Sequence, residues 1–221
     1  MDTKKPAEDA SKIASHRLSY AECSCAAVHK VNRMFSWAAV PEQYAPGGFE
    51  SFEKEVQPRA YAVAKKWLEC QEDWLYYSGG VGTGKTHLVT AIVRELRKQA
   101  VPSVIVSVPN MLDLLRPKQS GETKHFKQIL TVKVLALDDI GAQRNSDWVT
   151  EQMFKLIDYR SMHKLATIMT SNETLDSLSS SAPGWSRIAD RIAEHAVLVA
   201  MKEGSYRIKQ GRERAAKYSN C

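Results

Sequence analysis

The sequence predicts an α/β fold on a largely parallel five-stranded sheet, and three observations carry that expectation. From Trp74 onward, short apolar runs alternate with amphipathic helical stretches, the order that places crossover helices between parallel strands. A glycine-rich loop, Gly79-Gly-Val-Gly-Thr-Gly-Lys-Thr86, follows the first of those runs and opens a helix. A later run, Val132-Lys-Val-Leu-Ala-Leu-Asp138, ends in two neighbouring carboxylates, Asp138 and Asp139.

Residues 1 to about 15 are polar, charged and small, the composition of a frayed start. Ser15 to Met34 is weakly helical, and Ala45-Pro-Gly-Gly48 is a break signal. The domain boundary is therefore expected between a short N-terminal segment, residues 1–47, and a main domain, residues 48–221. Phe49 to Glu69 reads as a helix, with apolar residues at Tyr61, Val63, Ala64, Trp67 and Leu68. Trp74–Ser78 is the first strand, and Lys85 to about Gln99 the helix after the loop. Pro102–Val108 is a second strand, and Asn110–Leu115 begins another helix. Val132–Asp138 is the third strand and Asp147–Tyr159 a helix; Ala166–Thr170 is the fourth strand. Arg187–Glu194 is helical, and Ala196–Ala200 is the last strand.

Composition narrows the class. The 221 residues are 43% hydrophobic and 25% charged, ordinary for a globular protein, with mean hydropathy −0.37. No apolar run approaches the roughly 18 residues of a membrane span, and Met1 to Ala10 holds no apolar signal core, so a cytoplasmic setting is expected. Four scattered cysteines at 23, 25, 70 and 221 make no disulfide framework. The net charge is +6. Between Arg94 and Lys133 stand eight Lys/Arg against three acids, and from Met201 to Cys221 six against two. Two such patches suit a polyanion, although solvated helix faces give the same pattern.

The loop Gly79–Thr86 matches G-x-x-x-x-G-K-[ST], the P-loop that cradles phosphates. Glycines 79, 80, 82 and 84, with Val81 and Thr83 between them, let backbone N–H groups point into one concavity. The helix opening at Lys85 turns its positive end to the same anion. Lys85 adds a full charge at the β/γ-phosphates, Thr86 is placed to ligand Mg²⁺, and His87 follows within the same turn. The chain is expected to bind a nucleoside triphosphate.

A parallel sheet presents the C-terminal ends of its strands to one crevice, so Asp138 is expected to hold Mg²⁺ through water beside Thr86. Asp139, one position on, faces differently and reaches the attacking water. Asn172, after the polar end of the fourth strand, donates to the γ-phosphate or holds that water. Arg187 and Arg191 lie four residues apart on one helix. Either they stabilise phosphoryl charge from a neighbouring subunit, or they pair locally with Asp190 or Glu194.

This order of motifs resembles the AAA+ ATPases, and within them the DnaC/DnaI-like, IstB-related replicative helicase loaders, phage versions included. The resemblance runs from about Ala45 to Arg207. It rests on Gly79–Leu88, Leu137-Asp-Asp-Ile-Gly141, Asp147–Phe154, Thr170-Ser-Asn172, Arg187–Arg191 and Gly204-Ser-Tyr-Arg207. It implies a five-stranded parallel sheet between helices, ATP bound at a subunit interface through self-association, and an arginine finger, for which Arg191 fits better than Arg187. It further implies loading of a ring-shaped, hexameric replicative helicase onto single-stranded DNA. The DNA contacts are then expected from Asn110 to Lys133, at Arg116, Lys118, Lys124 and Lys127. Arg207 is structural or near the nucleotide.

Many AAA+ proteins carry a C-terminal helical lid, and this chain is expected to lack one. Related loaders often carry a cysteine-rich zinc element near the N-terminus. Here only Cys23 and Cys25 remain, with His16 and His29 distant, and they read as reduced thiols. The N-terminal segment is a candidate partner-binding region. Two other functions share these motifs: a transposition helper resembling IstB that binds duplex DNA, and an adaptor that ATP switches without hydrolysis. Asp139, shorter than the Glu many AAA+ proteins carry there, implies slow, assembly-dependent hydrolysis.

Overall fold

The computed structural model describes residues 47–116, 124–202, 204 and 206–218. The expectations for residues 1–46, Cys23 and Cys25 among them, and for Lys118 lie outside the described residues. β1 (Trp74–Ser78), β2 (Ser103–Ser107), β3 (Val134–Ile140), β4 (Ala166–Ser171) and β5 (Ala196–Ala200) form one sheet in the order β2-β3-β4-β1-β5. Every pairing is parallel.

Alternation along the strands divides the core in two. Trp74, Tyr76, Leu135, Leu137 and Met169 face one cluster, with α3 (Val108–Leu115), α5 (Asp147–Met162) and α7 (Trp185–His195). Leu75, Tyr77, Val134, Ala136 and Ile168 face the other, with α1 (Pro58–Cys70) and α2 (Lys85–Lys98). Period-two side chains on a sheet covered on both faces produce this partition. The α/β architecture with five parallel strands is the one the sequence predicts.

The helix expected from Phe49 begins instead at Pro58. Proline lacks the N–H a helix interior needs and restricts the residue before it; Gln57 is accordingly non-helical (φ −125°, ψ 56°), and Pro58 takes the first turn. Residues Phe49–Ser51 form only a 3₁₀ turn. The third strand runs two residues past Asp138, to Ile140. Three helices lie where no specific one is expected: α4 (Lys124–Thr131), α6 (Leu175–Ser179) and α8 (Tyr206–Tyr218). α5 and α6 are started by side chains, Ser146 Oγ accepting from Val149 N–H and Thr174 Oγ1 from Ser177 N–H. Among the described residues no helix is long and apolar enough to cross a membrane.

Candidate functional site

The glycine loop leaves the sheet between two neighbours. Gly79 N–H donates to Ser171 O (3.2 Å), and Met201 N–H donates to Ser78 O (2.7 Å). Gly79 holds φ +151°, and a Cβ there would lie 2.9 Å from the Met201 carbonyl oxygen. Gly84 starts α2 at φ +97°, with the Phe52 ring 3.3 Å from where a Cβ would stand. Both positions demand glycine on conformation and space together. Thr83 braces the turn by donating to Gly80 O (3.0 Å). Lys85 is buried and donates to Gly79 O (2.7 Å), Gly80 O (2.8 Å) and Asn172 Oδ1 (2.9 Å). An ammonium only donates, so the Asn172 oxygen faces Lys85 and its NH₂ group remains a donor.

Thr86 Oγ1 donates to the Asp138 carboxylate, 3.0 Å from Oδ1 and 3.2 Å from Oδ2. Thr170, fully buried, donates to Asp138 Oδ1 at 2.7 Å. Burial pushes the Asp138 carboxyl above its usual range and neighbouring Asp139 adds to this, while Thr170, Thr86 and Lys85 oppose it. β3 and β4 pair at Leu137↔Met169 and next at Ile140↔Ser171, so Asp138 and Asp139 together stand opposite Thr170. This is a β-bulge. Asp139 adopts φ +60° and gives its N–H to Thr170 Oγ1 (2.9 Å). The two carboxylates therefore do not simply alternate as consecutive strand residues would.

A strap before α1 crosses the start of α2. His87 Nε2 lies 3.1 Å from Ser51 Oγ and 3.3 Å from Gly48 O, and its ring meets Phe52 edge-on at 5.5 Å. Gly48 O only accepts, so Nε2 is the donor. Gln57 clamps the chain after β5, giving to Lys202 O (3.0 Å) and accepting from Lys202 N–H (2.9 Å). Tyr206 N–H, opening α8, donates to Gly82 O in the loop (2.9 Å). Sequence reasoning missed Phe52, Gln57 and Met201, none of which has a motif of its own; Thr170 stood in the quoted Thr170-Ser-Asn172 stretch, but its bonds to both Asp138 and Asp139 were not anticipated.

Lys85, Thr86, Asp138 and Asn172 thus converge, with Asp139 adjacent, while Val81 stands 64% exposed at the loop tip. Arg187 and Arg191 are not part of this group. Both are exposed on α7, and Arg191 pairs with Asp158 (3.5 Å) and Glu194 (3.1 Å), which realises the local alternative for that residue within one chain. Arg116 ends α3 beside Asp113 at 3.6 Å. Lys124 opens α4, and Lys127 is exposed one turn on.

The residues fit a magnesium-bound triphosphate. Thr86 Oγ1 and the Asp138 carboxylate are an all-oxygen donor pair, the chemistry a hard divalent cation takes. A cation beside them would compensate the desolvated Asp138 charge. Among the described residues nothing lies within 4 Å of where a Cβ on Gly80 would be, so a phosphate group can approach that backbone closely.

The chain resembles known proteins in sequence and in fold. A crystal structure of DnaI superposes with a TM-score of 0.67 at 26% identity, covering 74% of this chain and 95% of that one. The phage-like element PBSX protein XkdC of Bacillus subtilis (strain 168) is 28% identical over 174 residues, 71% of this chain. The replicative helicase loader DnaC of Escherichia coli (strain K12) is 26% identical over 159 residues, 68% of this chain. The match covers 65% of each of these two relatives' own length. The model of the IstB-like ATP binding proteins matches residues 19–214, and the chain belongs to that family.

Proposed function

We propose that the chain binds Mg²⁺·ATP at Lys85, Thr86 and Asp138, hydrolyses it, and uses the cycle to load a ring-shaped replicative helicase onto single-stranded DNA. The observation that carries this reading is the convergence of Thr86 on Asp138 and Lys85 on Asn172 at the ends of β1, β3 and β4. Loop N–H groups and Lys85 hold the phosphates, the Lys85 ammonium exchanging carbonyl partners for phosphate oxygens. Thr86 and Asp138 hold the metal, which when bound would offset charge on the β- and γ-phosphates. Asp139 orients the attacking water, and the free Asn172 NH₂ group donates to the γ-phosphate or to that water. Arg191, assisted by Arg187, reaches the γ-phosphate of a neighbouring copy on self-association, leaving Asp158 and Glu194. Arg116, Lys118, Lys124 and Lys127 contact DNA phosphates. Residues 1–47 are the candidate partner-binding segment. The loader role is supported by the DnaC and DnaI likenesses.

Co-purification from source cells tests it. The loader reading expects an ATP-dependent complex with a hexameric helicase and preference for single-stranded DNA. Family membership among IstB-like proteins favours a second reading, a transposition helper, which expects a transposase and preference for duplex DNA. The finger has its own test. Arg191→Ala mixed with Lys85→Ala should regain turnover in shared sites, since each lacks what the other supplies. No recovery at any mixing ratio contradicts a finger acting between subunits.

A further inference from the structure

β4 ends in Thr170 and Ser171, and Asn172 follows it; the three polar side chains each go to a different part of the site. Asn172 receives Lys85. Ser171 Oγ donates to Ile140 O at 2.7 Å, on the far side of the bulge. Thr170 stands at the centre of the bulge, the single residue opposite Asp138 and Asp139.

The bulge sets a problem that Thr170 solves. Two residues facing one leave a backbone N–H without a ladder partner, and a buried donor must be satisfied. That donor is Asp139 N–H, and Thr170 Oγ1 accepts it at 2.9 Å. A hydroxyl has one proton; with Oγ1 accepting there, the proton is free for Asp138 Oδ1, 2.7 Å away. The order Asp139 N–H to Thr170 to Asp138 therefore has one polarity. The branched Cβ restricts χ1, and the side chain is fully buried, so the hydroxyl has little freedom to leave either partner. One oxygen fixes the backbone of one carboxylate and the side chain of the other.

We infer that Thr170 is a positioning residue that holds Asp138 and Asp139 in register through a single hydroxyl. This rests on the reading of the pair as metal holder and water orienter. Serine keeps the donor and acceptor; valine keeps the shape and loses both. Alanine loses the hydroxyl without adding a methyl, a second route should valine crowd the bulge.

The test compares wild type, Thr170→Ser, Thr170→Val and Thr170→Ala as full chains. In nucleotide-free protein, amide hydrogen exchange at Asp139 is expected to quicken by about tenfold or more in Val and Ala, as loss of a hydrogen bond implies, and to stay near wild type in Ser. Calorimetry with ATP should show Mg²⁺-free affinity unchanged in all four. The Mg²⁺ concentration for half-maximal strengthening should rise about tenfold in Val and Ala only, since the bond lost is to a charged group. Turnover should fall with it, with kcat affected more than KM. Wild-type exchange and Mg²⁺ dependence in both Val and Ala would overturn the inference, as would equal losses in Ser and Val. If wild type hydrolyses nothing, the ATPase reading fails, while exchange at Asp139 still decides for or against Thr170.

Discussion

Asp138 is a buried carboxylate with two hydroxyl donors and a nearby ammonium, and burial still dominates its titration, raising its pKa. A carboxyl raised on folding binds its proton more tightly in the native state, so stability falls as pH rises from the unfolded value toward the folded one. Asp138→Asn removes that charge at nearly constant shape. The variant is expected to melt higher than wild type at neutral pH without nucleotide, and the gap should close as pH drops through the native pKa. Melting curves across pH check this; a lower melting temperature for the variant at neutral pH contradicts it. The same variant should lose Mg²⁺-dependent nucleotide binding. Asp139 is constrained by its backbone. Its φ of +60° lies where Asp and Asn are better tolerated than longer side chains, which gives a backbone reason for Asp at a place where many AAA+ proteins carry Glu. Lys85, Thr86 and Asp138 were legible because their roles attach to spacing along the chain. Thr170 was not, because its role comes from a bulge that sets it opposite two residues, and no periodicity signals a bulge.

In the elements, alternation of strand and helix marked all five strands to within two residues at every boundary, helped by turn or polar residues such as Asp73, Gly79, Pro102, Gly141 and Asn172 at several strand ends. What escaped was decided by contacts distant in sequence. Arg160, fully buried in α5, is the clearest case. It donates to Ile129 O, Leu130 O and Val132 O, around the end of α4, and to Thr167 Oγ1 and Ala166 O at the start of β4. A guanidinium at a helix C-terminus meets the orphan carbonyls and the negative end of the dipole. Burial pulls its pKa below the usual range, and the acceptors hold the charge in place. Arg160→Met leaves those carbonyls unpaired and should cost about 3 kcal/mol, the order found when a buried charged donor is removed. Denaturant unfolding measures this; a cost below about 1 kcal/mol would mean that water replaces the guanidinium.

On the scale of the molecule, the parallel sheet brings the ends of β1, β3 and β4 to one edge, where the loop, the carboxylates and Asn172 meet. Ala196 pairs with Trp74, the first residue of β1, so α7 closes at the opposite edge of the sheet from the loop. This explains why Arg191 finds Asp158 and Glu194 rather than the phosphate site of its own chain. The sheet order itself is not written in any local stretch; it follows from which faces bury against which helices. The proposed function gives Asp138 to the metal and Asp139 to the attacking water. Measuring Mg²⁺·ATP affinity and turnover for Asp139→Asn beside wild type separates the two roles. Asparagine tolerates the same backbone, so affinity should be unchanged while turnover falls on the order of a hundredfold, the scale of a lost general base. Equal turnover in the two proteins would contradict the account.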